Sequence, residues 1–243
     1  MRTAISALDK TFRFNDRINA VASRFVMRNP AQLKKDIHTH TLEDSPAVSL
    51  FRTELDDDEA LPHVLTKIAA RAKPGSVVYI LARFNFLLPD TAKLNQLNNS
   101  YPHLTIKTYS IHTSKGQEAD YIVTLGNKAG KFGMPPQKAS HPLLEALLPP
   151  RESFAHAKER RLFYVALTRA KRRVYLVVGK GKVSSFVKEL LDDQYDVEVN
   201  EFGEPAAVSA RALACPVCQE GELTLRTKKK GRESFFFCSL SPD

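Results

Sequence analysis

The 243-residue chain has no run of about 20 apolar residues, the length a helix needs to cross a bilayer. Residues 1–14 lack the continuous apolar centre of a secretion signal. A chain that spans no membrane and resides in the cytoplasm is the expectation. Cysteine is scarce: Cys215, Cys218 and Cys238 are the only three. An odd number without a secretion signal argues against disulfides. No low-complexity tract is present. No G-x-x-x-x-G-K-[ST] occurs anywhere, so nothing here is expected to cradle the β-phosphate of a nucleotide. Gly179-Lys180-Gly181-Lys182 lacks the spacing and has no following Ser or Thr.

What is there is a globular composition, 43% hydrophobic and 26% charged, enough for a core of ordinary size. The net charge is +9, and its location matters more than its size. Residues 105–182 hold 15 Lys or Arg against 5 Asp or Glu, so the rest of the chain is close to neutral. A basic excess confined to one segment suggests a phosphate-rich partner, nucleic acid or nucleotide. A solvated basic surface is the plainer alternative.

The most informative stretch is residues 159–178, which reads as a helix feeding a buried strand. Leu162, Val165, Ala166 and Ala170 repeat at helical spacing, with Glu159, Arg160, Arg161 and Arg169 off that stripe. Val174-Tyr175-Leu176-Val177-Val178, closed by Gly179, has the look of a parallel strand covered on both faces. An arginine ending such a helix can project beyond the sheet edge, where ligands of open α/β sheets sit.

Along the chain, Asn15 or Asp16 can cap a helix whose stripe is Ile18, Val21, Ala22 and Phe25, and Asn29-Pro30 ends it. Residues 31–47, with His38 and His40, read as a surface loop. Residues 48–51 read as a strand. Asp56-Asp57-Asp58-Glu59 opens a helix to about Ala72, its charge complementing the helix dipole; a Mg²⁺ site is the alternative. Strands follow at 76–81, 105–109 and 121–125, with a helix within 86–103. Residues 126–156 read as a long surface loop with a short helix near 142–148, and 183–192 as an amphipathic helix. The order predicts an α/β fold, a mostly parallel sheet flanked by helices. Residues 1–194 form one domain in this reading, 195–212 a linker, and 213–243 a small cysteine module.

Four segments resemble, in order, motifs of the UvrD-like superfamily 1 DNA helicases. Leu8-Asp9-Lys10-Thr11-Phe12-Arg13 looks like motif IV. Residues 80–85, with Arg83 and Asn85, resemble the next strand and its Arg-x-Asn end. Ser110 to Asp120 resembles motif V through His112, Lys115, Gly116 and Glu118, with Gln117 where the family usually has Leu. Glu159, Arg160, Arg161, Tyr164, Thr168, Arg169 and Ala170 match motif VI. The resemblance covers about residues 5–180. It implies a RecA-like second motor domain in which Arg13 and Arg169 reach the γ-phosphate of ATP with Mg²⁺. It also implies that Gly116 and Glu118 lie on the nucleotide side, and His112, Thr113, Lys115 and Arg83 on the DNA side. For Arg83 a structural salt bridge is equally in play. The large domain that many relatives insert after Asn85 is absent, the gap to Thr105 being under 20 residues.

The family keeps its phosphate-cradling loop and its DExx-type acidic motif in the first RecA-like domain. The resemblance therefore implies half of an ATP cleft, with single-stranded or partly duplex DNA and an N-terminal motor domain as partners, and negligible ATP hydrolysis by this chain alone. Unwinding from 3′ to 5′ is implied by resemblance only. Arginines at a transferred phosphoryl group are worth about 10³–10⁵ in rate. The rival reading is a non-enzymatic nucleic-acid-binding adaptor on the same fold. A weaker third is a topoisomerase accessory domain.

Cys215-x-x-Cys218, then 19 intervening residues and Cys238, resembles the zinc ribbons of bacterial type I topoisomerases, a hairpin turn falling at residues 227–231. That pattern has a fourth cysteine. Three thiolates for Zn²⁺ imply weakened binding, from a shortened sequence or a degenerate site. Phe235, Phe236 and Phe237 with nearby cations suit single-strand stacking, or are the ribbon's own small core.

Overall fold

The computed structural model describes residues 10–33, 37–137, 154–192, 194–202, 223–227 and 234–238, with backbone only from residue 201 onward. The elements are β1 (Lys10–Thr11), α1 (Asp16–Met27), β2 (His38–Thr39), β3 (Val48–Thr53), α2 (Asp57–Ala69), β4 (Ser76–Ala82), α3 (Thr91–Ser100), β5 (Leu104–Ser110), β6 (Ala119–Leu125), α4 (Ala157–Leu167), β7 (Ala170–Val178), α5 (Ser185–Leu190), β8 (Val197–Phe202), β9 (Leu223–Thr227) and β10 (Ser234–Cys238). The chain divides into two compact units, residues 1–201 and 202–243.

A six-stranded sheet ordered β5-β4-β6-β7-β3-β8 carries the first unit. The pairings β4–β5, β4–β6, β6–β7 and β3–β7 are all parallel. Parallel strands need covering on both faces, and the central ones are built for it: residues 174–178 of β7 are buried without a break. One face packs Val174, Leu176 and Val178 against Ile18, Phe25, Phe163 and Phe186 of α1, α4 and α5. The other face is covered by α2, whose Leu61, Val64, Leu65 and Ile68 are buried. Phe51 and Tyr175 lie there, ring centroids 5.5 Å apart.

Local chemistry sets the helix starts. Asn15 caps α1 by accepting from the Ile18 N–H at 2.9 Å, while its amide donates to the Arg172 carbonyl at 2.8 Å. At α2 the Glu59 carboxylate accepts from the Asp56 N–H at 3.3 Å. Asp57 does something the dipole argument did not foresee. Its two oxygens accept from the N–H groups of Gly126 at 2.8 Å and Gly179 at 3.1 Å, fastening the helix start to the ends of β6 and β7. The carboxylate is occupied by backbone, which leaves the Mg²⁺ alternative without support.

Three expectations are corrected. Residues 197–202, expected as the start of a linker, are the edge strand β8. His38 is not in a loop but in β2, which pairs in parallel with β1, Lys10 opposite His38. Arg160 is not on the outer face of α4. It is 6% exposed, clamped by Glu189 at 2.8 and 2.7 Å, with its guanidinium 4.2 Å from the Phe25 ring. The helix expected near 142–148 and residues 8 and 9 of the motif IV segment lie outside the described residues. In the second unit, β9 and β10 pair antiparallel, with Phe235 opposite Arg226 and Cys238 opposite Leu223.

Candidate functional site

Two clusters of sequence-predicted residues form, at opposite ends of the sheet. The first lies at the amino ends of the two central strands. Ala119 of β6 and Ala170 of β7 are register partners, so the residues just before them, Glu118 and Arg169, start side by side. The Ala119 N–H donates to the Arg169 carbonyl at 3.1 Å, closing that end. This corrects the expectation that Arg169 would sit where ligands of open α/β sheets usually bind. Those ligands lie at carboxyl ends, but Arg169 precedes its strand.

Arg169 is 7% exposed. Its Nε donates to the Val165 carbonyl at 3.2 Å and its Nη1 to the Gln117 carbonyl at 3.3 Å. No acceptor among the described residues takes its Nη2 end. Burial, and then the charge of Arg13, push its pKa down, against the pull of Glu118. Two guanidinium groups within electrostatic reach in a half-buried place are costly unless an anion joins them.

Glu118 partly neutralises this. Arg13 Nε donates to its Oε1 at 2.8 Å, and Lys171 Nζ lies 3.6 Å from Oε2. Burial opposes ionisation of Glu118, yet the hydrogen bond and charge of Arg13 and the charge of Lys171 outweigh it and hold the carboxyl below its ordinary value. Sequence reasoning missed Lys171. Its signal was position, two residues past Arg169 at the start of a period-two strand. Gly116 has φ 83°, with nothing within 4 Å of where a Cβ would stand. Its glycine answers a backbone need, the left-handed turn, and not a close approach.

The second cluster lies at the carboxyl ends of β4 and β5. Arg83 follows β4 and is clamped by Glu159 of α4, Nε to Oε2 at 2.8 Å and Nη2 to Oε1 at 3.0 Å. The structural role weighed for Arg83 is therefore real. Arg83, His112 and Lys115, with Lys158, Glu159 and Arg161, line a cleft of about 410 Å³. Burial and the Arg83 charge hold the His112 imidazole below its ordinary pKa, with Glu159 opposing. Thr113, itself exposed, donates its hydroxyl to the Ser110 carbonyl at 3.1 Å.

Residues 111–118 run from the second cluster to the first, and α4 spans the same distance. Glu159 stands at the Arg83 end and Arg169 just past the other. Among the described residues no group of three or more His, Cys, Asp or Glu is placed to hold a metal ion. Cys215 and Cys218 lie outside those residues. No helix of the described residues is long and apolar enough to cross a membrane.

With that geometry in hand, residues 87–181 match the family model of the UvrD-like helicase C-terminal domain. The chain is also 44% identical over 183 residues to DNA helicase IV of Escherichia coli K12, its homologue. That alignment covers 75% of this chain and 26% of the relative, so the chain corresponds to about a quarter of the relative's length. Among solved structures it is similar to the C-terminal domain of a possible DNA helicase from Lactobacillus plantarum WCFS1, with TM-score 0.44 and 11% identity, over 77% of this chain and 98% of that one.

Proposed function

We propose that the first unit is the second RecA-like motor domain of an ATP-dependent DNA helicase that translocates on single-stranded DNA. In this reading Arg13 and Arg169 are arginine fingers for the γ-phosphate of Mg²⁺-ATP, with Glu118 and the Gly116 turn beside the nucleotide. His112, Lys115, Thr113 and Arg83 face the backbone of the single strand. Thr113 also fixes the loop, and Arg83 also anchors the helix through Glu159. The observation that carries the reading is the approach of Arg13 to Arg169 around a single carboxylate, although they lie at opposite ends of the domain's sequence.

The chemistry follows from charge. Phosphoryl transfer spreads negative charge over the equatorial oxygens, and two fixed guanidinium groups would stabilise it there. This chain lacks the loop that would cradle the β-phosphate, so it supplies one wall of the cleft. The other wall is an N-terminal motor domain of the kind DNA helicase IV would provide. Closing and reopening the cleft would move the two domains along the strand, phosphate contacts giving grip without sequence preference.

The test is ATP hydrolysis and single-strand binding by this chain, alone and mixed with a separately expressed N-terminal motor domain of DNA helicase IV. Hydrolysis only in the mixture is expected. DNA binding without hydrolysis in any mixture would favour the adaptor reading. Robust DNA-stimulated turnover by the chain alone would overturn the division of the cleft.

A further inference from the structure

Three phenylalanines outside both clusters are held where solvent reaches them. Phe86 is 63% exposed and Phe132 44%. Phe84 and Phe86 stack, centroids 5.5 Å apart and planes 19° apart. Phe132 stands edge-on to both, 5.7 Å from Phe84 and 4.9 Å from Phe86. A contiguous aromatic patch left in water is costly, and such patches mark binding surfaces.

Cations sit on the rings themselves. The Arg83 guanidinium lies 4.9 Å from the Phe84 centroid and Lys131 Nζ 5.3 Å from that of Phe132. Arg83 also lines the cleft with His112 and Lys115, so the patch and the cleft are continuous.

Its place in the fold is where open α/β sheets take ligands. Ala82 and Leu125 are register partners at the carboxyl ends of β4 and β6, and the patch is made by the loops that follow. The chain leaves β4 for the edge strand β5 and returns to β6 on the other side, so the strand order reverses here. Both loops are fixed. The Leu87 N–H donates to the Phe84 carbonyl at 3.1 Å, and the Gly133 N–H to the Gly130 carbonyl at 3.2 Å. Gly126, at φ 74°, lets the two loops close up: a Cβ there would come within 2.8 Å of Leu87 Cδ1.

We infer that Phe84, Phe86 and Phe132 form a stacking platform for the bases of a single strand whose phosphates run along Arg83, Lys115 and Lys131. This rests on the reading of the cleft as the DNA side. Rings carry bases without sequence preference, and adjacent cations carry phosphates. The core of a protein interface is by contrast depleted of lysine, so Lys131 on the Phe132 ring favours nucleic acid over a protein partner.

The intact chain carrying Phe86→Ala or Phe132→Ala, both surface changes, is titrated with an oligothymidylate and with an abasic strand of equal length. Each variant should bind the base-bearing strand about fivefold or more weakly. It should bind the abasic strand as the parent does, with the same salt dependence. Lys115→Ala should weaken both strands. If Lys115→Ala weakens both while the phenylalanine variants bind like the parent, the platform is wrong and the patch belongs to a protein partner. An equal loss on the abasic strand also overturns stacking. If none of the three changes matters, or the parent binds neither strand, the DNA reading of the cleft falls and the platform with it.

Discussion

Arg13 and Glu118 meet at 2.8 Å, joining the residues after β1 to the loop before β6. Neither end of this pair is fully buried, the side chains being 43% and 34% exposed, so its stabilising effect is screened. Its importance is positional: it keeps Arg13 within reach of Arg169.

The pair has a pH signature. The Glu118 carboxyl is held below its ordinary 4.5 in the folded chain. Its contribution is therefore fully present above about 4.5 and is lost as pH falls through the lower folded value. Glu118→Gln should lower the urea midpoint at neutral pH, and the difference from the parent should shrink as pH drops below 4.5. A difference that stays constant across that range would show that the carboxylate's charge is not what holds the pair.

Arg169→Ala, in the reconstituted mixture with an N-terminal motor domain, should reduce ATP turnover about 10³–10⁵-fold while single-strand binding persists. Arg169→Lys should not restore turnover, because an ammonium cannot reproduce the planar fork that holds two carbonyls and still presents an outer edge. Near-normal turnover in either variant removes the arginine from the mechanism.

Arg160→Ala addresses stability. It would leave Glu189 buried without its clamp, at a cost of about 3–5 kcal/mol, although Tyr195 still donates to Glu189 at 2.8 Å. Replacing both partners with apolar residues should cost less than the single change. Chemical denaturation of the parent and the two variants measures this, and a single change costing under about 1 kcal/mol contradicts the buried clamp.

Gly116→Ala places a side chain at φ 83° in open space. The expected cost is about 1–2 kcal/mol from backbone strain alone. Asparagine, which tolerates that region, should cost less than alanine. Equal costs for the two would point to side-chain contact in place of strain.

The sheet was legible because parallel strands declare themselves: residues 76–81 and 121–125 are apolar runs, and both are strands. The cap at Asn15 was legible for a local reason, a side chain three residues from its N–H. What was illegible depends on partners distant in sequence. Arg160 looks like a surface residue until Glu189 and three aromatic rings surround it. Asp57 looks like dipole chemistry until the ends of β6 and β7 arrive. The β8 strand was readable in part, since Val197, Val199 and Glu198, Asn200 alternate, but its polar residues and edge position hid it. At the candidate site Arg13, Glu118 and Arg169 could be named as candidates from the sequence, whereas their position at the amino end of the sheet needed the topology.

One consequence of the α4 arrangement concerns free energy, not geometry. The nine residues from Glu159 to Leu167 span about 13 Å as a stiff rod, and Arg169 follows two residues beyond its end. If an anion at Arg169 tilts or shifts that rod, Glu159 and the clamped Arg83 must move with it. Binding free energies then obey reciprocity: whatever factor the nucleotide imposes on affinity for the strand, the strand imposes on affinity for the nucleotide. A single helix would make the two occupancies thermodynamically dependent, with no signal relayed through any other part of the domain.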